Sequence, residues 1–159
     1  MTRVKGFTLV ELMVVIALLT IIATVAIPSL STLMRDNRTE AQAEELNALL
    51  QYARSEAVTR KTPTEVTVDT SNGEVEVKSG GTLLRTSTIN LDHSTLSVSV
   101  ASVGYYPNGT ANTPDFQALL CNSDGPSSGR LLTVSASGAT RLHPRGKSAS
   151  GTALGSCTL

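Results

Sequence analysis

An α+β architecture, one long N-terminal helix followed only by strands, is what this sequence predicts, and three observations predict it. From Phe7 the chain is apolar for long enough to cross a membrane as a helix, with a single acid, Glu11, inside the run. Beyond Pro28 the pattern stays helical but becomes amphipathic. After Thr62-Pro63 the apolar period drops from three and four residues to two and does not return. With no helix between later strands, parallel βαβ units are excluded. The helix is expected to lie across one face of an antiparallel sheet.

Taken in order, residues 1–6 form a short basic leader that ends in glycine, with Arg3 and Lys5 as its cations. Residues 7–30 form the apolar half of the helix. From Leu12 to Met34 no residue is charged, and Phe7 to Leu30 as a helix spans about 36 Å, enough for a bilayer. Arg3 and Lys5 hold the leader in the cytoplasm by the positive-inside rule and place the remainder outside the inner membrane. A lone carboxylate in such a segment costs roughly 2.5–3.5 kcal/mol on insertion scales. Glu11 has no partner of opposite charge nearby in sequence, so one is expected from another chain. An ordinary secretory signal cleaved after Thr24-Val25-Ala26, or a plain signal anchor, would fit the apolar run but leave Glu11 unexplained.

Residues 31–62 form the amphipathic half. Ala43, Leu46, Leu49, Leu50, Ala53 and Ala57 recur at helical steps, whereas Glu40, Glu44, Glu45, Arg54 and Arg60 lie mostly off that stripe. Thr62-Pro63 stops the helix because the residue before proline disfavours helical geometry. Pro28, which lacks a backbone donor, is a candidate kink. Residues 63–159 form the β domain. Glu65–Asp69 and Glu74–Lys78 alternate about an Asn72-Gly73 hairpin turn. Further strands are expected at Leu83–Ile89, Leu96–Val100, Gln117–Cys121, Leu131–Ser135 and Thr140–His143, the last two joined at Ser137-Gly138.

Composition sets the outer bounds. The residues beyond the apolar half number about 130, sufficient for a single core. Net charge is zero, tryptophan is absent and aromatics make up only 3% of the chain, which suits a thin β domain rich in Ser, Thr, Gly and Val. Cys121 and Cys157 can pair in an oxidising compartment, where closure of that loop stabilises by roughly 3–4 kcal/mol; two buried thiols are the alternative. Neither His93 nor His143 has metal-ligand spacing, so no metal and no cofactor are expected. No nucleophile elbow or phosphate-binding glycine loop occurs. Asp92-His93-Ser94 reads as a polar turn, Tyr52 and Tyr105 read as packing residues, and the chain does not read as an enzyme.

Lys5-Gly6-Phe7-Thr8-Leu9-Val10-Glu11-Leu12 resembles the class III signal of type IV pilins and pseudopilins. The resemblance implies cleavage by a prepilin peptidase between Gly6 and Phe7 and N-methylation of Phe7. It also implies pairing of Glu11 with the N-terminal amine of a neighbouring subunit, and local melting of the helix at Pro28 in assembled filaments.

Three further stretches narrow the resemblance to the FimT/FimU/GspH group of minor pilins and H-type minor pseudopilins. Ala43 to Ala57, ending in Ala53-Arg54-Ser55-Glu56-Ala57, is similar to that group's helix segment; Tyr106-Pro107-Asn108-Gly109-Thr110 resembles its aromatic-x-x-Gly-x turn; Leu131 to Arg141 resembles its closing hairpin. The resemblance implies a type IV pilin-like fold and a minor pilin that primes and caps type IV pilus assembly, connecting tip minor pilins to the major pilin. Its implied partners are the major pilin, other minor pilins, the prepilin peptidase and inner membrane lipid. Its implied place is a single-pass inner-membrane subunit with a periplasmic C-terminal domain. An H-type role in type II secretion is the alternative. DNA binding for natural transformation is a third reading. Some FimT proteins are thought to bind DNA through a Gly-Arg-x-Arg hairpin, where this chain has Gly138-Ala139-Thr140-Arg141. The first arginine is missing, and Arg145 and Lys147 are the candidates to replace it, since phosphate contacts need charge more than fixed spacing. From Asn122 onward Arg130, Arg141, Arg145 and Lys147 face Asp124 alone, a basic C-terminal region.

Overall fold

The computed structural model of the chain describes residues 6–159, so the leader cations Arg3 and Lys5 lie outside the described residues. One helix, α1 (Leu9–Arg60), is followed by β1 (Thr64–Val68), β2 (Glu74–Ser79), β3 (Thr82–Thr88), β4 (Ser94–Val98), β5 (Ser102–Tyr105), β6 (Phe116–Asn122), β7 (Arg130–Val134) and β8 (Thr140–Leu142). A short 3-10 turn, Pro126–Ser128, links β6 to β7. The chain divides into two units, one ending at Met34 and one covering Arg35–Leu159.

In the first unit α1 passes through Pro28 uninterrupted. The hydroxyls of Ser31 and Thr32 donate to the Pro28 carbonyl at 2.8 and 3.3 Å. Among the described residues here the large apolar side chains, Phe7, Leu12, Ile16, Ile21, Ile27 and Leu33 among them, are exposed. By length and composition this part of α1 can cross a membrane.

The second unit holds the core. The strands form two four-stranded antiparallel sheets, ordered β3-β2-β1-β5 and β4-β6-β7-β8. The sequence left the number of sheets open, and the structure makes it two. β5, which carries Gly104 and only one aliphatic residue, was not expected as a strand; it pairs with β1 from Thr64↔Tyr105 to Thr67↔Ser102. The period-2 pattern explains the register: Val66 and Val68 on β1 lie opposite Val77 and Val75 on β2, and all four are buried. The stripe on α1, with Ala43, Leu46, Leu50, Ala53 and Ala57 fully buried, packs into one cluster with the inner faces of both sheets. Alanine at three of those positions lets strands approach the helix axis closely. Thr64 Oγ1 donates to the Ala53 carbonyl at 2.8 Å, fixing the turn out of the helix.

In the second sheet β6 is buried on both faces. Phe116, Ala118 and Leu120 of β6 point to the main core, while Leu119 and Cys121, one residue out of phase, form a separate cluster with Leu131, Leu154 and Cys157. The final segment of the chain therefore covers the outer face of that sheet. Cys121 and Cys157 are bonded, with 5.9 Å between their Cα atoms.

Candidate functional site

The N-terminal motif is the first place to look for chemistry. A Cβ placed on Gly6 meets nothing within 4 Å, so packing does not require glycine there. Phe7 is 77% exposed. Glu11 was expected to have no local partner, and the structure corrects this. Thr8 caps α1: its hydroxyl accepts from the Glu11 amide at 3.2 Å, while Glu11 Oε2 accepts from the Thr8 amide and the Thr8 hydroxyl, both at 2.9 Å. This is a capping box, a reciprocal arrangement that satisfies two orphan donors of a helix start. The spacing Thr8-x-x-Glu11 is its signature and was legible in the sequence. Hydrogen bonds to Thr8 do not neutralise the carboxylate.

The three motif stretches of the second unit converge at one point. Tyr106 to Thr110 closes on itself, with Tyr106 N donating to Thr110 O at 2.9 Å and Gly109 N to Tyr106 O at 2.8 Å. Ser137-Gly138 turns β7 into β8, with Gly138 N donating to Ser135 O at 2.8 Å. Both glycines have positive φ, 82° and 76°. A Cβ on Gly138 would sit 2.1 Å from the Gly109 carbonyl oxygen, so the two turns meet backbone to backbone. Across this junction lies Arg54 of α1, whose Nε donates to Gly109 O and whose terminal nitrogen donates to Ser137 O, both at 2.9 Å. The arginine of the Ala-Arg-Ser-Glu-Ala run thus fastens helix, turn and hairpin. Sequence reasoning assigned Arg54 no task, because its partners are main-chain carbonyls 55 and 83 residues away.

The basic C-terminal region is rearranged by folding. Arg145 donates to Asp36 at 2.7 Å, and Arg130 to Glu40 at 2.7 Å. Asp124, the one acid of that region, binds Arg35 at 3.1 Å. The Asn122 amide adds a 2.9 Å bond to the other oxygen of Asp36. These groups pin α1 to the second sheet and its loops. Of the candidate DNA contacts, Arg141 on β8 and Lys147 are exposed, whereas Arg145 is engaged by Asp36. Arg141 lines a shallow hollow together with His143 and the carboxylate-bearing Asp115. His143 is buried, its Nε2 3.0 Å from the Thr133 hydroxyl. Burial, with Arg141 and Arg130 adding to it, holds the imidazole pKa below its ordinary value. Tyr105 is 1% exposed, and among the described residues its hydroxyl has no partner. Burial pushes its pKa up to about 12. Tyr52 packs against the core beneath the Arg85 guanidinium, 5.7 Å from the ring centre. Among the described residues no group of His, Cys, Asp and Glu is arranged to hold a metal ion.

Against known proteins, residues 1–27 match the prokaryotic N-terminal methylation motif, and residues 42–138 match the type II transport protein GspH. Comparison with curated protein sequences gave no match. Among solved structures the chain is similar to the type IV minor pilin FimU of Pseudomonas aeruginosa PAO1. The TM-score is 0.62 at 29% identity, over 76% of this chain and 96% of that one. A second crystal form of FimU gives 0.60 at 28%, over 74% and 98%. The minor pseudopilin EpsH of the Vibrio cholerae type II secretion system shares the fold, with a TM-score of 0.58 at 13% identity over 71% of this chain and 98% of that one. The family and these neighbours are pilus and pseudopilus subunits, which makes the chain a structural subunit and not an enzyme. The stretch from 42 to 138 holds Arg54, Gly109 and Gly138, the three residues on which helix, turn and hairpin close, and by that stretch the chain belongs to the type II transport protein GspH family.

Proposed function

We propose that this subunit is a minor pilin that primes and caps a type IV pilus and joins tip minor pilins to the major pilin. The observation that carries the reading is the likeness to FimU, at more than twice the identity of the likeness to EpsH and across nearly the whole of the FimU structure. In this reading a prepilin peptidase cuts between Gly6 and Phe7, and Phe7 is methylated. The exposed apolar half of α1 is stored in inner membrane lipid with the β domain in the periplasm. In the growing filament that half packs against the helices of neighbouring pilins, and Glu11 exchanges its Thr8 contacts for a neighbour's amine. Two opposite charges at contact in a medium of low dielectric attract far more than they do in water, which offsets part of their desolvation.

A strain lacking the gene, complemented with wild type or Glu11→Ala, tests this. Processing of the variant is expected to be normal and its amount in sheared pili reduced; full incorporation would contradict the charge-pair step. Twitching motility lost with secretion intact supports the pilus, while lost secretion with normal twitching supports the H-type pseudopilin, the reading favoured by the family match over residues 42–138. A DNA-binding role rests on Arg141 and Lys147, since Arg145 is engaged. Equal retardation of DNA by wild type and the Arg141→Ala, Lys147→Ala double variant excludes it.

A further inference from the structure

A hollow of about 450 Å3 opens between the first turns of α1 in the second unit and the loop joining β3 to β4. Arg35 and Arg38 line it from the helix, and Asp92 and His93 from the loop. The loop is firmly held. Gln42 Nε2 donates to the Asn90 carbonyl at 2.7 Å, and the Ser94 hydroxyl donates to the same carbonyl, also at 2.7 Å. Asn90 Oδ1 accepts from the Asp92 amide at 2.8 Å. Arg35 is engaged by Asp124, whereas Arg38 is exposed and forms no salt bridge or hydrogen bond among the described residues. The Asp92 carboxylate is exposed and bonded only to the Asn90 side-chain amide, at 3.2 Å. The hollow thus presents one uncompensated cation and one carboxylate, with an imidazole beside them.

Its position in the chain is equally informative. Arg35 and Arg38 are the first cations after the stretch from Leu12 to Met34, which has no charge, and Asp36 between them is taken by Arg145. Cationic side chains that close an apolar span sit at the depth of lipid headgroups. A purely anionic headgroup would meet Asp92 there, and a purely cationic group would meet Arg38. A headgroup carrying both charges meets neither penalty, and the volume is in the range of small-molecule sites.

We propose that this hollow binds the zwitterionic aminoethyl phosphodiester headgroup of a membrane phospholipid, with the phosphate on Arg38 and His93 and the ammonium on Asp92. The site would hold the subunit at a set depth while it is stored in the membrane, and so rests on the membrane-anchored reading above. The chain has only two histidines, which makes the test direct. Full chain labelled at histidine, in a non-ionic detergent, is titrated with short-chain phosphatidylethanolamine, short-chain phosphatidylglycerol or inorganic phosphate while both imidazole signals are followed by NMR. His143, buried beneath Thr133, reports whether the fold is intact. The expected result is a saturable shift of His93 with phosphatidylethanolamine and at least a tenfold weaker response to phosphatidylglycerol. Arg38→Gln is expected to weaken binding at least tenfold, and Asp92→Asn to abolish the preference between the two lipids. No shift of His93, an equal shift with inorganic phosphate, or an undiminished preference in Asp92→Asn overturns the site. Resistance of the protein to carbonate extraction from membranes is scored separately; its loss would overturn the anchored reading itself.

Discussion

Arg54 is the residue whose replacement is expected to cost most for the least change in volume. Its guanidinium makes two charge-assisted hydrogen bonds at 2.9 Å, to Gly109 O and Ser137 O. Replacement by methionine keeps the aliphatic stem and deletes both donors. Hydrogen bonds to charged groups contribute about 1.5–3 kcal/mol each. Arg54 is only half-buried, so solvent screening sets the pair near the lower end, about 2–4 kcal/mol together. At roughly 4 °C per kcal/mol for a domain of this size, the Tm falls by about 8–16 °C. Arg54→Lys is expected to recover about half, because an ammonium cannot present the planar fork that reaches two carbonyls. The assay is urea and thermal unfolding of the full chain in detergent under oxidising conditions, followed by circular dichroism. Hydrogen exchange at Gly138 and Gly109 reports whether the loss is local. If Arg54→Met unfolds within about 0.5 kcal/mol of wild type, the clamp contributes nothing and the convergence is mere proximity.

Gly138→Ala is expected to destabilise by more than about 2 kcal/mol, since its φ is 76° and the new Cβ would press on the Gly109 oxygen; a wild-type melting curve would show the turns can separate freely. Tyr105→Phe removes a buried hydroxyl without a protein partner and should leave stability unchanged or raise it by about 1 kcal/mol; a loss beyond that would reveal a partner. Cys157→Ser opens a loop with a sequence separation of 36 and should cost about 4 kcal/mol in a denaturant titration, with reduction of the wild type giving the same midpoint. For His143 the folded pKa lies below the unfolded value, so no contribution is present above about pH 7, where both states are neutral. As pH falls through about 6.5 the unfolded chain takes up the proton first and stability declines. His143→Gln should flatten the curve in that window, and an unchanged slope would assign the acid sensitivity elsewhere.

Local patterns carried most of the fold. The stripe from Ala43 to Ala57 read as a buried helix face because six of its positions must meet a core at once, and they do. β1 and β2 were legible because strict alternation about Asn72-Gly73 leaves only one register. β5 was not, since four residues including Gly104 give no period to detect; Gly104 is there because the Asn112 side chain lies over it, where a Cβ would come within 2.5 Å. The number of sheets was hidden for a related reason: the step from β3 to β4 looks like any other turn, yet β4 joins the second sheet and β5 returns to the first beside β1. Counting charges misjudged the C-terminal region. Arg130 and Arg145 look free along the chain, yet Glu40 and Asp36 of the helix claim them. Thr8 beneath Glu11 was readable from its spacing and was overshadowed by the apolar run around it.

The junction at Arg54 also fixes when this protein can finish folding. The helix is synthesised first, yet its clamp needs carbonyls at 109 and 137, and Cys121 waits 36 residues for its partner near the end of the chain. A chain interrupted between residues 110 and 136 offers Arg54 only the Gly109 carbonyl and lacks the closing strand of the second sheet. Maturation is therefore an event of the completed polypeptide, and contacts so distant in sequence make it slow relative to helix formation. Until then the helix face lacks only the share of its cover that the closing hairpin brings.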